Sequence, residues 1–125
     1  MADKTVAVIG ASANRAKFGN KAVRAYLDAG WTVFPIHPTL AKVEGLPAYR
    51  DLDAVPAGSL DHVSFYVPAH IGVDLLGQVQ RKGPREVWLN PGSESRELLA
   101  RAEELGLNVI QACSILGIGR RPSSY

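Results

Sequence analysis

Two rhythms of apolar residues alternate along the chain. Short runs rich in β-branched and aromatic residues, at Val6–Ile9, Trp31–Ile36, His62–Val67, Glu86–Leu89 and Leu107–Ile110, have the length and composition of strands. Between them apolar residues recur at helical spacing. Ala22, Val23, Tyr26 and Leu27 do so within Asn20–Ala29, Ile71, Val73, Leu75, Leu76 and Val79 after Pro68, and Leu98, Leu99, Ala102 and Leu105 within Glu94–Leu105. Gly30 and Gly106 end the first and last of these helices, and Gly83-Pro84 breaks the middle one. Two segments escape both rhythms. Thr39–Ser59 reads as a connection with at most one helical turn at Asp51–Val55, and Ser114–Tyr125 as a tail that is either mobile or docked on a partner.

Strands alternating with helices predict an α/β domain of Rossmann-like type, three layers deep, with a five-stranded parallel sheet covered on both faces. Counted along the chain, the expected strand order is 3-2-1-4-5, with the first strand at the centre because a glycine turn follows it. Ligands of such sheets sit beyond the carboxyl ends of the strands. That rule gathers Gly10 to Lys17, Ile36 to Pro38, Val67 to Ala69 and Asn90 to Gly92 around one crevice. Residues 1–113 are expected to form the domain and 114–125 the tail.

Composition narrows the function classes. The 125 residues suit one domain, and a chain of this length removes roughly two-thirds of its unfolded surface from water. A formal charge of +2 is too small to imply a nucleic-acid partner. Cys113 is the only cysteine, so no intrachain disulfide forms and a reducing cytoplasm is the expected location. Met1-Ala2-Asp3-Lys4 leads straight into a strand rather than a signal-peptide core. No apolar run reaches the roughly 18 residues of a membrane span, so no membrane partner is expected. His37, His62 and His70 lack metal-ligand spacing, and Ser12 lies in no G-x-S-x-G elbow. Asp51, Asp53 and Asp61 are placed as turn and cap residues. Neither a metal site nor a catalytic set is expected.

The first strand and its turn, Val6-Ala7-Val8-Ile9-Gly10-Ala11-Ser12, offer backbone N–H groups at a helix N-terminus, which is a seat for phosphate. The dinucleotide fingerprint G-x-G-x-x-G fails here, because Ser12 and Arg15 occupy its second and third glycine positions. Both the close approach to a pyrophosphate and the tight helix packing therefore lose their glycines. Ile36-His37-Pro38 stands where an acid would take a ribose hydroxyl, which disfavours NAD and leaves NADP open through Arg15 or His37. Lys17 and Lys21 fall near the start of a helix, where the macrodipole disfavours cations unless an anion is close. Ser12, Asn14, Arg15, Lys17 and Lys21 together suit a ligand carrying several phosphates.

Four motifs in order carry a more specific signal: Val8-Ile9-Gly10-Ala11-Ser12, Val33-Phe34-Pro35-Ile36-His37-Pro38, Val63-Ser64-Phe65-Tyr66-Val67-Pro68 and Val87-Trp88-Leu89-Asn90-Pro91-Gly92. From about Lys4 to Cys113 the chain resembles the stand-alone CoA-binding domain proteins, which are similar to the N-terminal domain of the succinyl-CoA synthetase α subunit. The resemblance implies a Rossmann-like domain holding coenzyme A or an acyl-CoA, with Gly10, Ala11, Ser12, Asn14, Arg15 and Lys17 near the phosphates. It further implies that Ile36, His37 and Pro38 line the adenosine region, and that Val67, Pro68, Asn90, Pro91 and Gly92 border the crevice. Family members commonly carry Asn in place of His37 and an Asp-Arg-Cys run in place of Gln111-Ala112-Cys113. The ligase chemistry of the larger relatives needs a phosphorylatable histidine and a nucleotide-grasp domain, both of which that family places outside this domain. The expected role is thus non-catalytic CoA binding, as a sensor or as an accessory to a partner enzyme, in a domain that is a candidate homodimer. The alternatives are an NADP-dependent oxidoreductase and an interaction module with a vestigial crevice.

Overall fold

The computed structural model describes residues 4–125; the segment Met1 to Asp3, read above as leading into the first strand, lies outside them. Seven strands form in chain order: β1 (Thr5–Ile9), β2 (Thr32–Ile36), β3 (Lys42–Val43), β4 (Leu46–Pro47), β5 (His62–Phe65), β6 (Glu86–Leu89) and β7 (Val109–Ile110). The helices are α1 (Phe18–Asp28), α2 (Ala69–Gly72), α3 (Leu76–Lys82), α4 (Arg96–Glu104) and α5 (Ser114–Gly117). Five strands make one parallel sheet in the order β2-β1-β5-β6-β7, and β3 and β4 pair as a separate antiparallel hairpin.

The Rossmann-like parallel sheet is as expected, but its order is not. Counted among the sheet strands it runs 2-1-3-4-5, because β5 pairs with β1 and not with β2. Two features of the chain explain this. Pro35 lies within β2 and has no N–H to give to a second neighbour, so β2 belongs at the edge. All four residues of β5 are buried, which requires neighbours on both sides and cover on both faces. As a result β1 is second from the edge, and the chain reverses direction across the sheet between β1 and β5.

Alternation along β1 divides the core. Ala7 and Ile9 pack with Phe65, Leu76, Val79 and Leu98 under α3 and α4, while Val6 and Val8 pack with Ala22, Val23, Tyr26 and Ile115 under α1 and α5. The buried stripe of α1 is Gly19, Ala22, Val23 and Tyr26. Leu27, expected on that stripe, is exposed, and so is Ile71 after Pro68. The middle helix is not continuous: a 3-10 turn at Val73–Leu75 separates α2 from α3. Helix α4 begins at Arg96, two residues later than the expected Glu94, because Ser95 caps it by accepting a hydrogen bond from Leu98 N at 3.1 Å.

The segment 114–125 is not a free tail. Ile115 is fully buried, and the Tyr125 hydroxyl donates to Asp28 Oδ2 at 2.7 Å, so the segment docks on α1 of its own chain. No helix of the described residues is long and apolar enough to cross a membrane.

Candidate functional site

At the reversal point a cleft of about 590 Å³ opens beyond the carboxyl ends of the strands. Its wall is built from the turns after four strands and the start of one helix: Gly10-Ala11-Ser12, Lys17-Phe18-Gly19, His37-Pro38, Tyr66-Val67-Pro68 and Pro91-Gly92-Ser93.

Two glycines set its geometry. Gly10 has φ +89°, and a Cβ there would lie 2.8 Å from the Tyr66 carbonyl oxygen. A Cβ at Gly19 would overlap the carbonyl oxygen of Gly10, so α1 lies directly on the end of β1. The expectation that helix packing had lost its glycine is therefore corrected. Gly19, four residues beyond Arg15, brings the helix close to the strand across a longer loop.

Within that loop the side chains shape the backbone. Ser12 Oγ accepts from Asn14 N at 3.0 Å, and Asn14 Oδ1 accepts from Ala16 N at 3.0 Å. Buried Asn20 donates to the Ser12 carbonyl at 2.7 Å, while Arg24 donates to Asn20 Oδ1 at 2.7 Å and to the Arg15 carbonyl at 2.8 Å. Helix α1 has no side-chain cap at Lys17 and no acid in its first turn. Its positive end and first N–H groups meet the cleft beside Phe18 and Gly19, with no capping side chain or acid supplied by the helix itself.

Of the residues expected here, Gly10, Ala11, Ser12, Lys17, His37, Pro38, Val67, Pro68, Pro91 and Gly92 line the cleft. Asn14, Arg15, Ile36 and Asn90 do not. Arg15 is held 3.6 Å from Glu44 on the β3–β4 hairpin, and Asn14 serves the turn. Ile36 is buried in the core. Asn90, only 2 % exposed, donates to Ser64 Oγ and the Phe65 carbonyl and accepts from Ser114 N at 2.8 Å, so it is a strut below the floor.

His37 Nδ1 accepts from Thr39 N at 3.1 Å and Leu40 N at 3.0 Å. A side-chain oxygen of Asn would serve the same turn, and the double acceptance leaves the ring proton on Nε2. Phe18, Gly19, Tyr66 and Ser93 also line the cleft, though they were not among the residues expected there. Burial pushes the Tyr66 hydroxyl up to about 12, so it stays protonated, within 3.3 Å of Ser114 Oγ. No cluster of three metal-ligating side chains occurs among the described residues.

Fold and cleft together define a Rossmann-like domain with an uncapped helix start at its reversal point. The chain belongs to the CoA binding domain family, whose model matches residues 4–119. It is 27 % identical over 117 residues to an ADP-forming acetate–CoA ligase of Archaeoglobus fulgidus, covering 86 % of this chain and 17 % of the ligase. The chain thus spans about a sixth of that relative. Among solved structures, a conserved hypothetical protein of Pyrococcus furiosus is similar along nearly its whole length, with a TM-score of 0.81 and 29 % identity over 93 % of this chain and 99 % of that one. The dinucleotide-forming acetyl-coenzyme A synthetase 1 of Ca. Korarchaeum cryptofilum, solved with phosphate and ADP, matches with a TM-score of 0.75 and 27 % identity, over 87 % of this chain and 25 % of its own.

Proposed function

We propose that this protein binds coenzyme A or an acyl-CoA without turning it over, in the cleft at the β1/β5 reversal point, and serves as a sensor of that ligand or as an accessory to an enzyme that uses it. The observation that carries the reading is the uncapped start of α1, drawn onto β1 by Gly10 and Gly19 with Lys17 beside it. Such an end receives a phosphate group through backbone N–H donors and the helix dipole. The membership of the CoA binding domain family supports coenzyme A as the carrier of that phosphate.

The polar side chains around the cleft support binding over chemistry. Ser12 and His37 accept from backbone N–H groups two residues on, Ser93 donates to the Phe65 carbonyl of β5, and none of the three is hydrogen-bonded to another as a nucleophile to its base. Lys17 is the cation on the wall. Calorimetric titration with CoA, NADPH and ATP tests the reading. Heat with CoA, weakened about tenfold in Lys17→Ala as for loss of a charge-assisted phosphate contact, is expected. Silence with CoA, or binding of NADPH alone, would overturn it.

A further inference from the structure

The loop after β1 carries, besides Lys17, a second cation that does not line the cleft, the Arg15 guanidinium. Arg15 Nη2 lies 3.6 Å from Glu44 Oε1, while the other carboxylate oxygen, Oε2, accepts from Asn20 Nδ2 at 3.1 Å. Asn20 in turn holds the Ser12 carbonyl. One carboxylate from the β3–β4 hairpin is therefore pinned to the loop whose N–H groups and cations suit phosphate.

Glu44 occupies a costly position for this purpose. It is the non-glycine residue with positive φ among the described residues, at +49°, at the first of two left-handed positions in the Glu44-Gly45 turn. Asn, Asp or Gly is usual there, and a long side chain gains nothing locally. Its side chain nevertheless folds back on the loop and is 22 % exposed, although the residue as a whole lies at the surface, whereas the Arg15 side chain is 66 % exposed. The backbone at Arg15 is anchored apart from its side chain, because Arg24 holds the Arg15 carbonyl. Exchange of Arg15 from one anion to another needs only side-chain rotation.

We infer that Glu44 is a built-in competitor for the anion site: it holds Arg15 off the cleft, and a ligand phosphate must take Arg15 from it. The inference rests on the CoA-binding reading above and makes Glu44 an affinity-setting, positioning residue that touches no ligand itself. A purely structural Glu44 would weaken binding when neutralised, whereas a competitor strengthens it.

The test is titration of the wild type, Glu44→Gln, Arg15→Ala and the double variant with CoA and, separately, with inorganic pyrophosphate. Gln keeps the oxygen that Asn20 uses, so the melting temperature of Glu44→Gln reports whether the loop is intact. Glu44→Gln is expected to bind CoA roughly 2–5-fold more tightly than wild type, the upper part of the range for an exposed charge pair. In the Arg15→Ala background the same change should have little effect. Unchanged or weaker binding in Glu44→Gln, or an equal gain without Arg15, would overturn the latch. If no variant binds CoA, the coenzyme reading fails while pyrophosphate still decides: tighter pyrophosphate binding by Glu44→Gln upholds the competitor, and its absence removes it.

Discussion

Gly19 and Asn90 show how differently single residues at one site act. At Gly19 the carbonyl of Gly10 fills the space a methyl group would need, and neither partner is a flexible side-chain end. Gly19→Ala must push α1 away from β1, which is expected to cost about 3 kcal/mol by overpacking. It should also abolish CoA binding in calorimetry even where the fold survives, because the helix N-terminus moves from the cleft. Asn90 is a strut, with its amide tied to Ser64, Phe65 and Ser114. Asn90→Ala strands those buried partners, and urea denaturation should show a loss of about 2–4 kcal/mol. The motif containing Asn90-Pro91-Gly92 was legible in the sequence, but its division of labour was not. Asn90 turns inward because its partners Ser64, Phe65 and Ser114 lie beside it only once β5 pairs with β6, while Pro91 and Gly92 follow in the turn that forms the wall. Arg15 was readable as a cation near the turn, whereas its ion pair with Glu44 depends on a hairpin 29 positions away in the chain.

At the scale of elements, strands with β-branched runs and helices with apolar stripes were visible because local sequence determines period. The short pieces were not. The β3–β4 hairpin has two residues per strand, too few for any alternation to show, and Val43, with Leu46 partly buried beside the same core, marks it as packed. Helix α5 spans four residues and is held by tertiary packing rather than by propensity. Ile115 fills the core under α1, and Gly117 lies where a Cβ would run into the Trp88 ring. Two losses should follow in thermal or urea melts: Ile115→Ala costs about 2–4 kcal/mol for a buried aliphatic side chain, and Gly117→Ala a smaller amount set by how far α5 can slide. If Ile115→Ala melts like the wild type, the docked terminus is not part of the cooperative unit.

Across the whole molecule the two ends of the sheet are chemically opposed. The carboxyl ends open into the cleft, while the amino ends gather Trp31, Trp88, Tyr26 and His62 into an aromatic cluster. Parallel pairing, which the sequence pattern showed, creates this polarity; the strand order escaped it, although Pro35 carried a signal: a strand that cannot donate at one position belongs at an edge. His62, 9 % exposed, lies between the Tyr26 hydroxyl at 2.9 Å and Glu86 Oε1 at 2.8 Å. Burial holds its pKa below the ordinary 6.5, against the pull of Glu86 and Asp61 toward the charged form and with a small push in the same direction from Lys4. The unfolded chain then binds a proton at this histidine at higher pH than the folded one does. Its contribution to stability is complete above about pH 6.5 and is lost as pH falls through the lower, folded value. An NMR titration of the His62 ring should therefore show a midpoint below 6.5, and Glu86→Gln should move it lower still by removing the main influence that favours the imidazolium. A midpoint above 6.5 in the wild type would mean that the Glu86 contact outweighs burial, and acidification would then stabilise this end of the sheet instead of loosening it.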